Sequence, residues 1–238
     1  MLTDRQTRGV GEQLPLKVNL RDEATFDTFL ARPGQEAAVA ALIALAAGEC
    51  EQSVFLQGGG DSGRSHLLQA TCHACEGISL YLPLGQLRDF PADQVLADVE
   101  GVALIAVDDI HLVAGLSGWE RALFNAFNAA HARGTRMLFS ANTAPNALSL
   151  ELADLQSRLE WGPVFRLPAL TEADKGSVFA FRARQRGLRL TPEAVEYVMR
   201  RAPRDMTSLL ALLDTLDKAS LAQQRSLSVP FIRDALGW

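Results

Sequence analysis

A glycine-rich octapeptide, Gly58–Ser65, is the stretch of this chain whose residue types and spacing are typical of phosphate chemistry. It fits the pattern G-x-x-x-x-G-K-[ST] at every fixed position but one, where Arg64 replaces the lysine. Glycines let several main-chain N–H groups point at one anion, and a following helix adds partial positive charge. We therefore expect nucleotide contacts from Gly58, Gly60, Asp61, Ser62, Gly63, Arg64, Ser65 and His66, with the Ser65 hydroxyl also binding magnesium. The alternative is a glycine-rich surface turn.

The arginine in this loop has a physical meaning. Lysine places a compact charge between the β- and γ-phosphates, whereas arginine is a longer, planar fork. We therefore expect Arg64 to leave nucleotide binding intact and to make intrinsic hydrolysis weak.

A pair of acids further along the chain can complete such a site. The continuous apolar run Val102–Val107 is typical of a central parallel strand covered on both faces, and Asp108 and Asp109 end it. Two adjacent carboxylates at the end of a buried strand are costly unless a cation or water satisfies them. In an NTPase this is the place of the magnesium-holding acid, here Asp108, and of the water-activating acid, here Asp109.

The surrounding elements must bring the loop and the acids together. Strands are predicted at Ser53–Gln57, Ile78–Leu82, Val102–Val107 and Arg136–Ser140, with helices over 35–47, 93–100, 118–132 and 150–159, and a turn over 83–87. Asn142 follows the last of these strands, so we expect it beside the γ-phosphate; a plain turn residue is the alternative. The order predicts an α/β fold with a parallel sheet.

The pattern of predicted elements changes after Phe165, from alternating strands and helices to helices alone. Helices are predicted over 172–186, 192–201, 205–222 and 229–236 with no strand between them, and Thr191 followed by Pro192 is a good helix start. A leucine stripe supplies the core of this part: Leu209, Leu212, Leu213, Leu216 and Leu221. The chain thus divides into a flexible segment over 1–18, an α/β nucleotide-binding domain over 19–166 and a small all-α lid over 167–238.

Composition limits the classes of function. The 238 residues are 48% hydrophobic, and no run of about 18 apolar residues or signal-peptide core is present, so we expect a cytoplasmic protein without a membrane partner. The net charge of −5 argues against bulk electrostatic binding to nucleic acid. Residues 1–165 carry 11 Lys+Arg against 20 Asp+Glu, and residues 166–238 carry 12 against 8. A basic lid on an acidic body suits contact with phosphates or another subunit; compositional drift of solvated faces is the alternative.

The chain has three cysteines, Cys50, Cys72 and Cys75. This odd number does not indicate a disulfide framework. A zinc site needs about four ligands, and Cys72-His73-Ala74-Cys75 has no second cluster to pair with. Buried thiols are therefore predicted.

The N-terminal tail contains one unusual segment. Residues 1–12 are polar and without period, so we expect them to be loosely attached. The apolar side chains of Gln13-Leu14-Pro15-Leu16-Lys17-Val18 then have nothing local to bury them, which favours docking into a partner's groove through Gln13, Leu14, Pro15, Leu16 and Val18. The segment resembles the hexapeptide by which bacterial proteins bind the replicative sliding clamp; a strand pairing onto the chain's own sheet is the alternative.

Four motifs carry a further resemblance over nearly the whole chain from residue 19 onward. They are Thr25-Phe26-Asp27-Thr28-Phe29, Gly63-Arg64-Ser65-His66-Leu67-Leu68, Asp108-Asp109-Ile110-His111 and Leu155-Gln156-Ser157-Arg158-Leu159. A nucleotide domain followed by a helical lid describes the AAA+ ATPases, and these motifs resemble the nucleotide-binding region of the bacterial replication initiator DnaA. DnaA continues into a helix-turn-helix DNA-binding domain for which no residues remain here, so no sequence-specific DNA binding is expected.

A clamp-binding peptide before such a module resembles the regulatory branch of the DnaA-like family. The resemblance implies a protein that holds ADP and Mg²⁺, binds the DNA polymerase III sliding clamp and stimulates ATP hydrolysis by DnaA, which prevents re-initiation. Arg158 matches the family's arginine finger, acting in trans. Independent turnover is not expected, and a homo-oligomer is left open. A helicase-loader-type ATPase, a stand-alone ATPase and an adaptor with a vestigial nucleotide site are the alternatives.

The chain departs from the family pattern at three places around the γ-phosphate. Thr207 stands where DnaA has the lid's sensing arginine, and Arg204, three residues earlier, is the candidate substitute. Asn142 stands where an aspartate is usual, and Arg64 replaces the loop lysine. The pattern suits a domain that keeps a diphosphate and hydrolyses ATP poorly.

Overall fold

A five-stranded parallel sheet organises the first two thirds of the chain. The computed structural model describes residues 20–49, 53–97, 99, 101–223 and 227–238, so the predicted hexapeptide Gln13–Val18 lies outside the described residues. The strands are β1 (Ser53–Gln57), β2 (Ile78–Pro83), β3 (Val102–Asp108), β4 (Arg136–Ala141) and β5 (Val164–Arg166), in the spatial order β2-β3-β4-β1-β5. Because all pairings are parallel, the carboxyl ends of the strands meet at one edge of the sheet.

Helices cover both faces of this sheet. They are α1 (Glu36–Ala47), α2 (Arg64–Ala74), α3 (Leu84–Leu87), α4 (Ala92–Val95), α5 (Ser117–Arg133) and α6 (Ala153–Leu159). Successive residues of a strand point to opposite faces. Leu104 and Ala106 of β3 accordingly pack with α1 and α2, whereas Ile105 and Val107 pack with α5 and α6. This double burial explains why β3 reads as an unbroken apolar run.

The last four helices form a lid with its own core. They are α7 (Glu172–Gln185), α8 (Pro192–Arg201), α9 (Met206–Gln223) and α10 (Val229–Leu236), packed around Phe179, Leu209, Leu213, Leu216, Phe231 and Ile232. The Thr171 side chain accepts a hydrogen bond from Asp174 N while the Asp174 side chain accepts from Thr171 N, which caps α7. Thr191 caps α8 with Pro192 in the first turn, as predicted.

Some local predictions are wrong. Leu221, predicted in the lid core, is 74% exposed near the end of α9. The segment over 83–87, predicted as a turn, contains the short helix α3, and α4 ends well before residue 100. Strand β5 was not predicted at all. Its three residues pair only with β1, at the edge of the sheet, so its sequence carries too few buried positions to show a pattern.

Candidate nucleotide-binding site

A cavity of about 200 Å³ lies where the phosphate loop, the lid and residues 20–35 meet. We call residues 20–35 the leading segment. The loop contributes Gly59, Asp61, Ser62, Gly63, Arg64, Ser65 and His66; the leading segment contributes Arg21, Thr28, Phe29, Leu30, Arg32 and Gln35; the lid side contributes Leu170, Val178, Arg182, Met206, Thr207 and Leu210. Most of the predicted loop residues therefore line one cavity.

The loop backbone leaves no room for side chains at two of its glycines. Gly63 has φ +88°, and a Cβ there would lie 2.8 Å from Phe29 Cε2. A Cβ at Gly58 would lie 2.6 Å from the carbonyl oxygen of Leu167. Ser62 is buried, and its hydroxyl donates to the Gly59 carbonyl at 2.8 Å, which closes the loop on itself. This shape is that of a main-chain cradle preceding the helix α2.

Arg64 points from the loop to the strand-end acids. Its Nη2 lies 2.9 Å from Asp109 Oδ1, an ion-pair distance that does not have the geometry of a hydrogen bond. Arg64 Nη1 is buried and has no hydrogen-bond partner among the described residues. A buried guanidinium N–H without an acceptor is unfavourable, so this atom fits a phosphate oxygen. The residues present thus fit a nucleoside di- or triphosphate.

Asp108 is held at the end of β3 by two hydroxyls. Its carboxylate is 2% exposed and accepts hydrogen bonds from Tyr81 Oη, at 2.7 Å, and from Ser140 Oγ. Burial, with the Asp108 charge, raises the pKa of Tyr81 well above its usual range, so the phenol stays a donor. Each carboxylate oxygen can accept further bonds, so Asp108 keeps the capacity for its predicted role as the magnesium-holding acid. Ser65 lines the cavity.

Asp109 sits in a more open, left-handed turn at φ +59°. Burial and the neighbouring Asp108 charge raise the pKa of Asp109, and the charges of Arg64 and His111 offset only part of that rise. His111 Nδ1 lies 3.9 Å from Asp109 Oδ1 and accepts a long hydrogen bond, 3.4 Å, from Asn142 N. Asn142 itself is exposed at the end of β4, on the same sheet edge, and does not line the cavity.

Asp61, in the loop, binds the lid. Its backbone is left-handed at φ +56°, Oδ1 accepts from Met206 N at 3.1 Å, and Oδ2 lies 3.2 Å from Lys175 Nζ. Lys175, only 8% exposed, also donates to the carbonyl oxygen of Arg204. The phosphate loop is thereby connected to α7 and to the start of α9.

The lid cations are arranged differently from what the sequence predicted. The Arg204 side chain is exposed and does not line the cavity, whereas Thr207 does. Arg182 lines it instead; it is 4% exposed and pairs with Glu23 at 2.6 Å. Neither Arg182 nor Lys175 was singled out from the sequence, because a charged residue on a helix is read as solvated unless its burial is known. The spacing of Lys175 and Arg182 along α7 gives no further indication that either side chain is buried.

His66 holds the leading segment to the loop helix. Its Nε2 donates to the carbonyl oxygen of Thr25 at 2.8 Å, and its ring lies 5.5 Å from that of Phe29. Burial lowers the pKa of His66 to about 4, opposed by the bond to Thr25. This neutral imidazole on the cavity wall therefore joins the leading segment to α2.

Arg158 lies apart from this cavity. It is half-buried at the end of α6, its Cζ is 4.7 Å from the Trp161 ring centroid, and it is 6.0 Å from that of Phe124. Trp161 is 53% exposed, stacks on Phe127 and makes a tilted ring contact with His131. Among the described residues no carboxylate pairs with Arg158. The guanidinium is therefore oriented by aromatic faces at the surface.

The cysteines form no metal centre in the part of the chain that the structure describes, where no cluster of three or more His, Cys, Asp and Glu side chains occurs. Cys72 is buried, and this burial raises the pKa of its thiol to about 12. Cys75 is partly buried, and Cys50 lies outside the described residues. The buried-thiol prediction is confirmed for Cys72. Of the helices so described, none is long and apolar enough to cross a membrane.

A parallel sheet in this order, a phosphate loop after β1 and a helical lid closing the cavity define an AAA+ P-loop protein. The comparisons with known proteins agree. Residues 172–236 match the family model "Hda, lid domain", and residues 84–166 match "Bacterial DnaA ATPase domain". An uncharacterized protein of Haemophilus influenzae is 36% identical over 232 residues, 95% of this chain and 99% of its own length. The chain belongs to the DnaA-related AAA+ proteins, and within them it is Hda-like.

Solved structures share the fold. Domain III of Thermotoga maritima DnaA superposes with a TM-score of 0.74 at 21% identity, over 92% of this chain and 98% of that one. AMPPCP-bound DnaA of Aquifex aeolicus gives 0.67 at 18% identity, over 86% and 67%. The Thermotoga maritima RuvB branch-migration motor gives 0.63 at 15%, over 90% and 71%.

Proposed function

We propose that this protein is an Hda-like regulator of replication initiation in the cytoplasm. It holds ADP with Mg²⁺, binds the DNA polymerase III sliding clamp and stimulates ATP hydrolysis by DnaA, which prevents re-initiation. A homo-oligomer is compatible with this role. The Hda-type lid and the DnaA-type ATPase domain support the regulatory class.

The position of Arg158 is the observation that carries the proposal. An arginine finger must reach a phosphoryl group held by another protein, so it cannot be committed to its own nucleotide cavity or to a carboxylate. Arg158 lies outside the cavity and faces the surface against the half-exposed Trp161. The aromatic ring orients the guanidinium without neutralising it.

The chain's own nucleotide site is suited to holding rather than turnover. Main-chain N–H groups of the Gly58–Ser65 loop and Arg64 would hold the phosphates, while Ser65 and Asp108 would hold Mg²⁺. The bound nucleotide supplies negative charge at the point where loop, leading segment and lid meet. Asp109, the predicted water-activating acid, is engaged by Arg64 at 2.9 Å. A carboxylate held by that contact is not free to orient an attacking water, which supports weak independent hydrolysis.

Clamp binding is assigned to Gln13, Leu14, Pro15, Leu16 and Val18. A short extended peptide of this kind binds through apolar side chains that fill pockets, and proline limits the entropy lost on binding. This part of the proposal rests on the sequence of the hexapeptide.

The test is a reconstituted assay with DnaA carrying labelled ATP, clamp loaded on DNA, and this protein saturated with ADP. The wild type should accelerate hydrolysis of the DnaA-bound ATP. Arg158→Ala should return the rate to that of DnaA alone, because a finger is worth about 10³–10⁵ in rate. Leu14→Ala combined with Leu16→Ala should lose clamp binding and, with it, clamp-dependent stimulation.

Two matched variants control for surface effects. Arg121→Ala removes an exposed arginine from the neighbouring helix α5, and Leu2→Ala removes a leucine from the same tail outside the hexapeptide. Both should stimulate DnaA as the wild type does. Full stimulation by Arg158→Ala would contradict the trans-finger role. Rapid ATP turnover by the wild type alone would favour a stand-alone ATPase.

A further inference from the structure

Gln35 has a buried side-chain donor that nothing in the described chain satisfies. The residue is 0% exposed, it lines the cavity beside the phosphate loop, and its Nε2 has no hydrogen-bond partner. A buried amide N–H₂ without an acceptor is rare in folded proteins and points to a missing partner. Because Gln35 lines the cavity, a ligand bound there is the candidate for that acceptor.

A tight turn fixes where this amide lies. Gln35 N donates to the carbonyl oxygen of Arg32 at 2.9 Å, across Pro33 and Gly34. Proline at the second position and a glycine at φ +88° in the third are the residues of a type II turn. Gln35 is thereby held at the start of α1, where it is buried and lines the cavity.

The same turn also fixes which way the amide faces. Arg32 N donates to Gln35 Oε1 at 3.1 Å. Turning the amide over would set its N–H₂ against the N–H of Arg32, two donors facing each other. The oxygen is therefore committed to the turn, and the two N–H bonds of Nε2 are left for the cavity.

We propose that Gln35 Nε2 donates a hydrogen bond to an acceptor atom of the nucleotide base, so that Gln35 determines which bases the cavity accepts. The inference rests on the nucleotide site of the proposed function and adds the residue that reads the base. Ring nitrogens and carbonyl oxygens of bases are suitable acceptors, whereas an exocyclic amine at the same place would meet a second donor.

The surroundings of Gln35 favour a base over a phosphate. Phe29, Leu30, Leu170 and Val178 line the same cavity and give it apolar walls for a flat ring. Arg32, the cation next to Gln35 in the turn, is already bound to Asp174 at 2.9 Å and to the carbonyl oxygen of Pro168. The Gly58–Ser65 loop has other hydrogen-bond donors for the phosphates, including the unsatisfied Arg64 Nη1. In binding sites, a few polar groups placed among apolar side chains fix the orientation of the bound ligand.

Two variants separate the donor from the turn. Gln35→Met keeps the length of the side chain without a donor or a charge. Gln35→Glu keeps an oxygen for Arg32 N but loses the donor. Gln94→Glu, at an exposed glutamine, is the matched control for the added charge. Calorimetry of the full chain with ADP and, separately, with inorganic pyrophosphate measures contacts to the whole nucleotide and to its phosphates alone.

We expect the ratio of ADP affinity to pyrophosphate affinity to fall about tenfold in both Gln35 variants and to stay unchanged in Gln94→Glu. An unchanged ratio in both Gln35 variants, with ADP still bound by the wild type, would overturn the role of Gln35 alone. A wild type that binds neither ADP nor pyrophosphate would overturn the nucleotide site itself. Stimulation of DnaA is measured in a separate assay. Failure of the role of Gln35 and failure of the proposed function can therefore be distinguished.

Discussion

Arg64 of the phosphate loop and Asp109 at the end of β3 face each other across 2.9 Å between Nη2 and Oδ1. The two residues are 45 positions apart in the chain, and strand β4 lies between the strands that deliver them. The pair joins the two halves of the predicted nucleotide site. It also uses the loop's cation to restrain the acid that would activate water.

Replacing this arginine by lysine should release Asp109. Lysine is shorter and lacks the planar fork, so Arg64→Lys should weaken the contact with Asp109 and place a compact charge at the phosphates. Because a free general base contributes about 10²–10⁴ in rate, we expect single-turnover hydrolysis of ATP by the protein alone to rise about tenfold or more. Adding Asp109→Asn to Arg64→Lys should cancel the gain. Equal rates for wild type and Arg64→Lys at saturating ATP would refute this account.

Lys175 should couple the loop to the lid. Its ammonium bridges Asp61 and the carbonyl oxygen of Arg204 at 8% exposure, so Lys175→Met leaves the Asp61 charge partly buried and unpaired. Such a loss costs about 2 kcal/mol, and the midpoint of thermal unfolding should fall by about 5 °C. We also expect a smaller rise of this midpoint on addition of ADP, because the lid no longer follows the loop.

The exposed Lys218 of α9 provides the matched control. Lys218→Met should leave the midpoint of thermal unfolding unchanged, both without and with ADP. Combining Lys175→Met with Asp61→Asn should destabilise less than the sum of the single changes, since the unpaired charge is then gone. Additive effects in that double-mutant cycle would show that the contact is not energetically coupled.

His66 should make stability depend on pH. Its pKa is about 4 in the folded chain and about 6.5 when unfolded, so the unfolded chain binds the extra proton between these values. Stability should therefore rise with pH from about 4 to 6.5 and level off above, by up to about 3 kcal/mol. His66→Gln should remove up to about 1.4 kcal/mol per pH unit of this slope in urea unfolding. His73→Gln, at an exposed histidine of the same helix, should keep the full slope.

The phosphate loop and the acid pair after β3 could be predicted, because each is recognised from residues that are close together in the chain. The glycines of the loop are needed where backbone and neighbours exclude a Cβ, and an acid pair after an apolar run marks the carboxyl end of a buried strand. The lid half could not be predicted in the same way. Arg182 and Lys175 are ordinary helix residues in sequence, and only burial against Glu23 and Asp61 distinguishes them from solvated charges. Arg204, chosen by its nearness to the family's position, is instead exposed and contributes its carbonyl oxygen.

The sequence by itself determined the class of fold, the phosphate loop and the acids that accompany it, because each depends on backbone conformation and burial patterns within a few residues. Tertiary structure alone decided that Arg64 meets Asp109, that Asp61 is tied to the lid, and that Gln35 presents an unpartnered donor to the cavity. Those relationships join residues from separate elements, and their energies depend on distance and burial, which no spacing along the chain records.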